Sequence, residues 1–338
     1  MSSSRITWVD LMKTFSILSV VLYHTPCAYT IKTFAYILCL PAFFFASSIF
    51  ANAEMSPKNY FYRKTRRLLV PYIIFGLLSW AAWLIVARKY GNETESVTWW
   101  RPLVGMVYGD VSLLYHNRPL WFLCCLISLE WLYFILYLIP QRKFRILGAL
   151  FIGAIGCLLS YYRKNGFWEI TAAMLILPIY SICSETQYYI KTQVIQWKTL
   201  YIFLLLLFSF IGVLLGYYLN PQFHISTGIV GNPLIFYLTI ISVIGLWSSF
   251  SILIARYSRS LQWLSYIGQN TLLILCAHIP VFGMIKGIAL LCHVSLDFFE
   301  TVPGCLCLWL GTFVILLPAS FFVNKYCPWI LGKQKVTL

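Results

Sequence analysis

Charge is scarce in this chain. Only 10% of its 338 residues are Asp, Glu, Lys or Arg, and only ten are acidic. A soluble domain of this length carries far more charge toward water, so a freely soluble fold is excluded. A cleavable secretory leader is not expected either. The first apolar run has no small-x-small cleavage site, holds a histidine, and is followed at once by further apolar runs. The eleven cysteines include no C-x-x-C pair and no His/Cys cluster at zinc spacing, so no metal is expected. Cys39, Cys124, Cys125, Cys157, Cys183 and Cys276 lie inside apolar runs, where a thiol behaves as a small hydrophobe. No stretch reads as a linker and no internal repeat is visible, which leaves residues 1–338 as a single domain.

What is present is apolar. Hydrophobic residues make up 60% of the chain and the mean hydropathy is +0.79. Runs near the ~20 residues needed to cross a hydrocarbon core recur along the sequence. They predict about ten transmembrane helices in one all-α polytopic bundle, at 12–30, 33–52, 68–88, 119–139, 146–162, 168–184, 200–219, 233–255, 270–291 and 303–323. With a cytoplasmic N-terminus, 17 of the 25 Lys and Arg residues fall on inner segments, among them Arg5, Lys13, the run from Lys58 to Arg67, Lys325 and Lys333. That bias follows the positive-inside rule and puts both termini in the cytoplasm. The net charge of +15 is then explained by topology and anionic inner-leaflet lipid, with no nucleic acid as partner.

Polar residues inside such runs are costly and tend to line cavities. In "LMKTFSILSVVLYHTPC" (11–27), Lys13 and His24 are eleven residues apart. At ~100° per residue they return to within ~20° of one direction, on one helix face about 16 Å apart. Asp10 is placed to pair with Lys13. His24 reads either as a catalytic group or as a histidine that hydrogen-bonds across a helix interface. Glu130 lies deep in "PLWFLCCLISLEWLYFILYL", where a lone carboxylate must be protonated or paired. Its expected partner is His24; a Lys or Arg from another helix is the structural alternative. In "YFYRKTRRLLVPY" (60–72), Arg63, Arg66 and Arg67 fall on one helical face beside a Pro71-containing helix start. Arginine forks suit phosphate, although a stop signal at the inner face would also be basic. A phosphate dock at one mouth and a histidine partway across suit acyl transfer from coenzyme A, whose pantetheine arm threads a narrow channel.

Several stretches carry a family resemblance. "DLMKTFSILSVVLYH" pairs a basic residue with a histidine eleven residues later, "LPAFFFASSIF" (40–50) is similar to P-x-F-F-F-x-S-G with Ser48 for Gly, and "YRKTRRLLVPY" holds R-x-x-R through Arg63 and Arg66. "PLWFLCCL" (119–126) matches L-W-F-L, and "IGQNTLLILCAH" (267–278) matches G-x-N-S-L…H with Thr271 for Ser. In that order they make the chain resemble the acyltransferase-3 family of bacterial membrane O-acyltransferases, most closely its fucose 4-O-acetylase-like branch. The resemblance implies an enzyme of the bacterial inner membrane that moves an acetyl group from cytoplasmic acetyl-CoA to a sugar hydroxyl of a lipid-linked or surface glycan. His24 would be the general base, or an acyl-histidine nucleophile. Arg63 and Arg66, with Arg67 and Lys13, would bind the acetyl-CoA phosphates and line the donor path. Trp121, His278 and Asn270 would shape the substrate pocket, with Pro280 as a helix breaker after His278. Glu130 as the catalytic partner of His24 is read from the residues alone. Trp99, Trp100 and Tyr108 read as an interfacial belt or as sugar-stacking rings, and His116 as a solvated loop histidine. A transporter or flippase is the competing class, but the inverted repeats and paired broken helices of transporters are not visible. A homo-oligomer is compatible with the sequence and not specified by it.

Overall fold

The computed structural model describes residues 5–51, 56–88 and 97–333. The chain is 82% helical, with no strand among the described residues. The helices are α1 (Thr7–His24), α2 (Tyr29–Cys39), α3 (Pro41–Ile49), α4 (Pro57–Ala82), α5 (Arg101–Tyr108), α6 (Trp121–Tyr137), α7 (Arg142–Tyr161), α8 (Ile170–Glu185), α9 (Gln187–Thr192), α10 (Thr199–Leu219), α11 (Pro233–Tyr257), α12 (Ser265–Gln269), α13 (Thr271–Leu291) and α14 (Val302–Tyr326).

Nine helices among the described residues are long and apolar enough to cross a membrane. An all-α polytopic membrane protein is therefore what the sequence folds into. The expected first span, α1, is absent from the nine because Asp10, Lys13 and His24 dilute its apolar run. Its 18 residues would still extend ~27 Å, close to the ~30 Å of a hydrocarbon core. The expected second span is bent: α2 stops at Cys39 and Pro41 opens α3. The expected third span starts earlier than 68, since α4 runs from Pro57 straight through Pro71. The basic run is therefore helical, as the i, i+3, i+4 spacing of its arginines predicts.

α1 is the central element. Trp8, Val9, Leu11, Met12, Ile17 and Val21 are all buried, and the helix packs against α2, α3, α11, α12 and α13. Burial on every side makes its three charged or titratable residues tolerable only where they meet partners or a polar opening. α10 shows the opposite pattern. Leu200, Phe203, Phe208 and Leu215 are exposed, as expected of a lipid-facing helix, and its inner face meets α11 through small residues. There Gly212 lies on Ser242, Gly216 on Thr239 and Gly245 on Ser209, so the two backbones approach closely.

Candidate functional site

The C-terminal end of α1 carries the imidazole. His24 is the last helical residue; the buried Thr25 then caps the helix, its N–H and Oγ1 both donating to the Leu22 carbonyl. The His24 ring lies 4.7 Å from that of Tyr23 and 5.1 Å from that of His278, centroid to centroid. Lys32 and Arg118 are electrostatic neighbours of the ring. His278 is fully buried on α13 and its Nδ1 sits 3.0 Å from the Ile274 carbonyl. That contact makes Nδ1 the protonated nitrogen, leaving Nε2 as a bare acceptor with no protein partner among the described residues. Tyr23 passes the cluster on to Tyr36 (5.0 Å), which stacks on His224 at 4.4 Å. His224 Nδ1 meets Ser226 Oγ at 3.0 Å and Thr227 Oγ1 at 3.1 Å, and burial holds its pKa below the ordinary value.

Pro280 does not break its helix; α13 runs unbroken from Thr271 to Leu291. Proline has no N–H for the carbonyl four residues back, which here is Cys276. Asn117 supplies the missing donor, its Nδ2 lying 2.8 Å from the Cys276 oxygen and 2.9 Å from Ser79 Oγ. The chain just before Trp121 is thereby pinned two residues from His278. Trp121 is 6% exposed and opens α6 with its ring perpendicular to that of Phe122. His116 is not a solvated loop histidine. It is buried, both ring nitrogens lack partners among the described residues, and burial pushes its pKa down to about 4. Trp99, Trp100 and Tyr108 are exposed on the connection from α4 to α6, with Trp80 Nε1 donating to the Trp99 carbonyl at 2.8 Å.

The other end of α1 is basic. Lys13 pairs with Asp10 at 2.6 Å, as expected. Gly268 of α12 lies directly on the Asp10 carbonyl, leaving no room for a β-carbon, so α12 seats on the backbone of this first-helix turn. Arg5 donates to Gln269 Oε1 at 2.5 Å. Asn270 donates to the Tyr266 carbonyl at 2.7 Å and accepts from Asn324 Nδ2 at 2.6 Å. Of the expected pocket residues, Asn270 precedes the first turn of α13 and lies at the basic end, eight residues before His278. On α4, Arg63 and Arg67 are exposed and Arg66 is half-buried. None of the three has an ion-pair partner among the described residues.

The expected pairing of Glu130 with His24 is not found. The Glu130 carboxylate is held inside the bundle by Lys64 Nζ (2.6 Å), Tyr60 (2.5 Å), Ser47 (2.7 Å) and Tyr180 (2.9 Å). A buried carboxylate demands a cation and hydrogen bonds, and α3, α4 and α8 supply them nearer than α1 does. Tyr60 and Lys64 are four residues apart on α4, and Arg63 and Arg67 continue the same i, i+3, i+4, i+7 stripe, so the grip on Glu130 sets the rotation at which these arginines stand.

The sequence matches the family model described as an acyltransferase domain over residues 6–329. No curated protein and no solved structure matches it.

Proposed function

We propose, from the premise that this chain belongs to the acyltransferase-3 family and is therefore a multi-pass membrane acyltransferase, that it moves an acetyl group from acetyl-CoA to a sugar hydroxyl of a lipid-linked or surface glycan. The observation that carries this reading is the pair of polar ends on buried α1. Lys13 stands among cations at one end and His24 among polar rings at the other, eleven residues and about 16 Å further along. By the positive-inside rule the basic end faces the cytoplasm of a bacterial inner membrane, where acetyl-CoA is available.

Acetyl-CoA is a substrate here, not a resident group. Its phosphates suit Arg63, Arg66, Arg67 and Lys13, because guanidinium forks and an ammonium meet phosphate oxygens with charge-assisted hydrogen bonds. The extended pantetheine arm then runs beside α1 toward His24. The imidazole of His24 accepts the proton of the acceptor hydroxyl as its oxygen attacks the thioester carbonyl. The new C–O ester bond forms, the C–S bond breaks, and the departing sulfur takes up a proton to leave as coenzyme A. His278, with Nδ1 committed to Ile274, presents Nε2 to this region as an acceptor for a second substrate hydroxyl. Glu130 acts at a distance: through Lys64 and Tyr60 it fixes the rotation of α4 and so the direction of the arginines. The test is His24→Gln in purified protein. Acetyl transfer should be lost while coenzyme A binds with unchanged affinity; full transfer by the variant would end the assignment.

A further inference from the structure

Lys333 follows the last short helical turn of the described chain, beyond the residues matched by the family model. It folds back into the bundle. Gly332 adopts a left-handed backbone (φ +65°) that turns the chain onto α4. A β-carbon there would lie 2.6 Å from the Arg66 carbonyl and 2.7 Å from the Arg67 Cα, so the turn is seated directly on the arginine-bearing stretch. The next residue, Lys333, is half-buried and donates to Asn324 Oδ1 at 2.5 Å. Asn324 in turn donates to Asn270, whose neighbour Gln269 holds Arg5. One connected set of contacts thus gathers Arg5, Lys13, Arg67 and Lys333 at the basic end of α1, with Asp10 as the paired carboxylate. The Lys333 ammonium is drawn below its ordinary pKa by burial first, and then by Arg67, Arg5 and Lys13. Like charges gathered this closely, with one carboxylate among four cations, call for an anion.

We infer that Lys333, pinned by Asn324 and seated by Gly332, is a phosphate-binding residue of the donor site. This inference rests on the proposed function and adds to it a ligand from outside the family-matched residues. It also gives a role to the left-handed glycine and to the half-buried Asn324 amide that hold Lys333 in place. The same phosphate chemistry is offered by an anionic lipid headgroup at this face, so the probes must separate the two.

The experiment measures coenzyme A binding to purified protein in phosphatidylcholine nanodiscs, with phosphate-free pantetheine as the second probe. Lys333→Gln removes the charge and keeps a polar side chain for Asn324; Lys333→Arg restores the charge. Loss of one charge-assisted phosphate contact should weaken coenzyme A binding about tenfold. Lys333→Arg should recover most of the affinity, and pantetheine binding should be unchanged in both variants. Wild-type affinity in Lys333→Gln, alongside weakened binding in an Arg63→Ala/Arg66→Ala variant, overturns the inference and leaves the proposed function standing. Absence of coenzyme A binding by the wild-type protein overturns both. Unchanged coenzyme A binding by Lys333→Gln, with reduced retention of phosphatidylglycerol in mixed nanodiscs, assigns Lys333 to lipid and also overturns the inference.

Discussion

Single residues divide into those whose chemistry is local and those whose partners come from elsewhere in the chain. Lys13 and Asp10 pair as their three-residue spacing requires, because an i,i+3 contact is set by one helix alone. Glu130 is the contrary case. Its partners Ser47, Tyr60, Lys64 and Tyr180 lie on three other helices, and no spacing in the sequence announces them. If Glu130 positions α4 through its pairing with Lys64, Glu130→Gln should cost about 3–5 kcal/mol, since it strands a buried ammonium. A Glu130→Gln/Lys64→Met double variant should recover most of that stability and, with it, acetyl transfer. Recovery of the melting temperature without transfer would instead make Glu130 a catalytic group. His116 offers a pH test. Its pKa of about 4 in the folded chain lies below the ordinary 6.5, so unfolding takes up a proton below pH 6.5. Stability is present above pH 6.5 and falls as the pH drops toward 4. At pH 5 the loss is on the order of 1–2 kcal/mol. His116→Gln should flatten this part of the pH–stability curve relative to wild type; an unchanged slope would show that His116 is not buried neutral.

At the level of elements, helices were legible where apolar runs are long and their ends less so. The apolar run predicts a third span from 68, where hydropathy rises, yet the helix begins at Pro57, carries the basic stretch and accommodates Pro71 within it. Lipid-facing hydropathy marks where a helix meets the membrane, not where it begins. Proline misled in the same way at Pro280. A proline frees the carbonyl four residues back, and here Asn117 from a distant segment satisfies it. Asn117→Ala should therefore destabilise the protein by about 1–3 kcal/mol, the cost of leaving the Cys276 carbonyl without its donor. It should also lower acetyl transfer, because Arg118 and Trp121 lose their anchor beside His278. A melting temperature equal to wild type would show that the Pro280 gap is satisfied otherwise. The G-x-N stretch similarly has a structural part its pattern could not disclose: Gly268 is required by the close seat of α12 on Asp10, and Asn270 by its bonds to Tyr266 and Asn324.

The molecule as a whole places cations at one end of a buried helix and imidazoles at the other. Hydropathy was enough to predict the all-α membrane bundle, since it depends on composition along the chain. The meeting of α1, α12, α4 and the turn at Gly332 depends on packing between segments far apart in sequence, and only the folded structure brings Arg5, Arg67 and Lys333 to Lys13. The two-ended layout has a direct consequence for sidedness. In sealed membrane vesicles, radiolabelled acetyl-CoA added to the basic face should label the glycan or glycolipid fraction, and the same donor confined to the opposite face should not. His24→Gln should abolish the labelling while preserving coenzyme A binding on the basic face. Equal labelling from both faces, or labelling that survives in His24→Gln, would contradict a donor path along α1 that ends at His24.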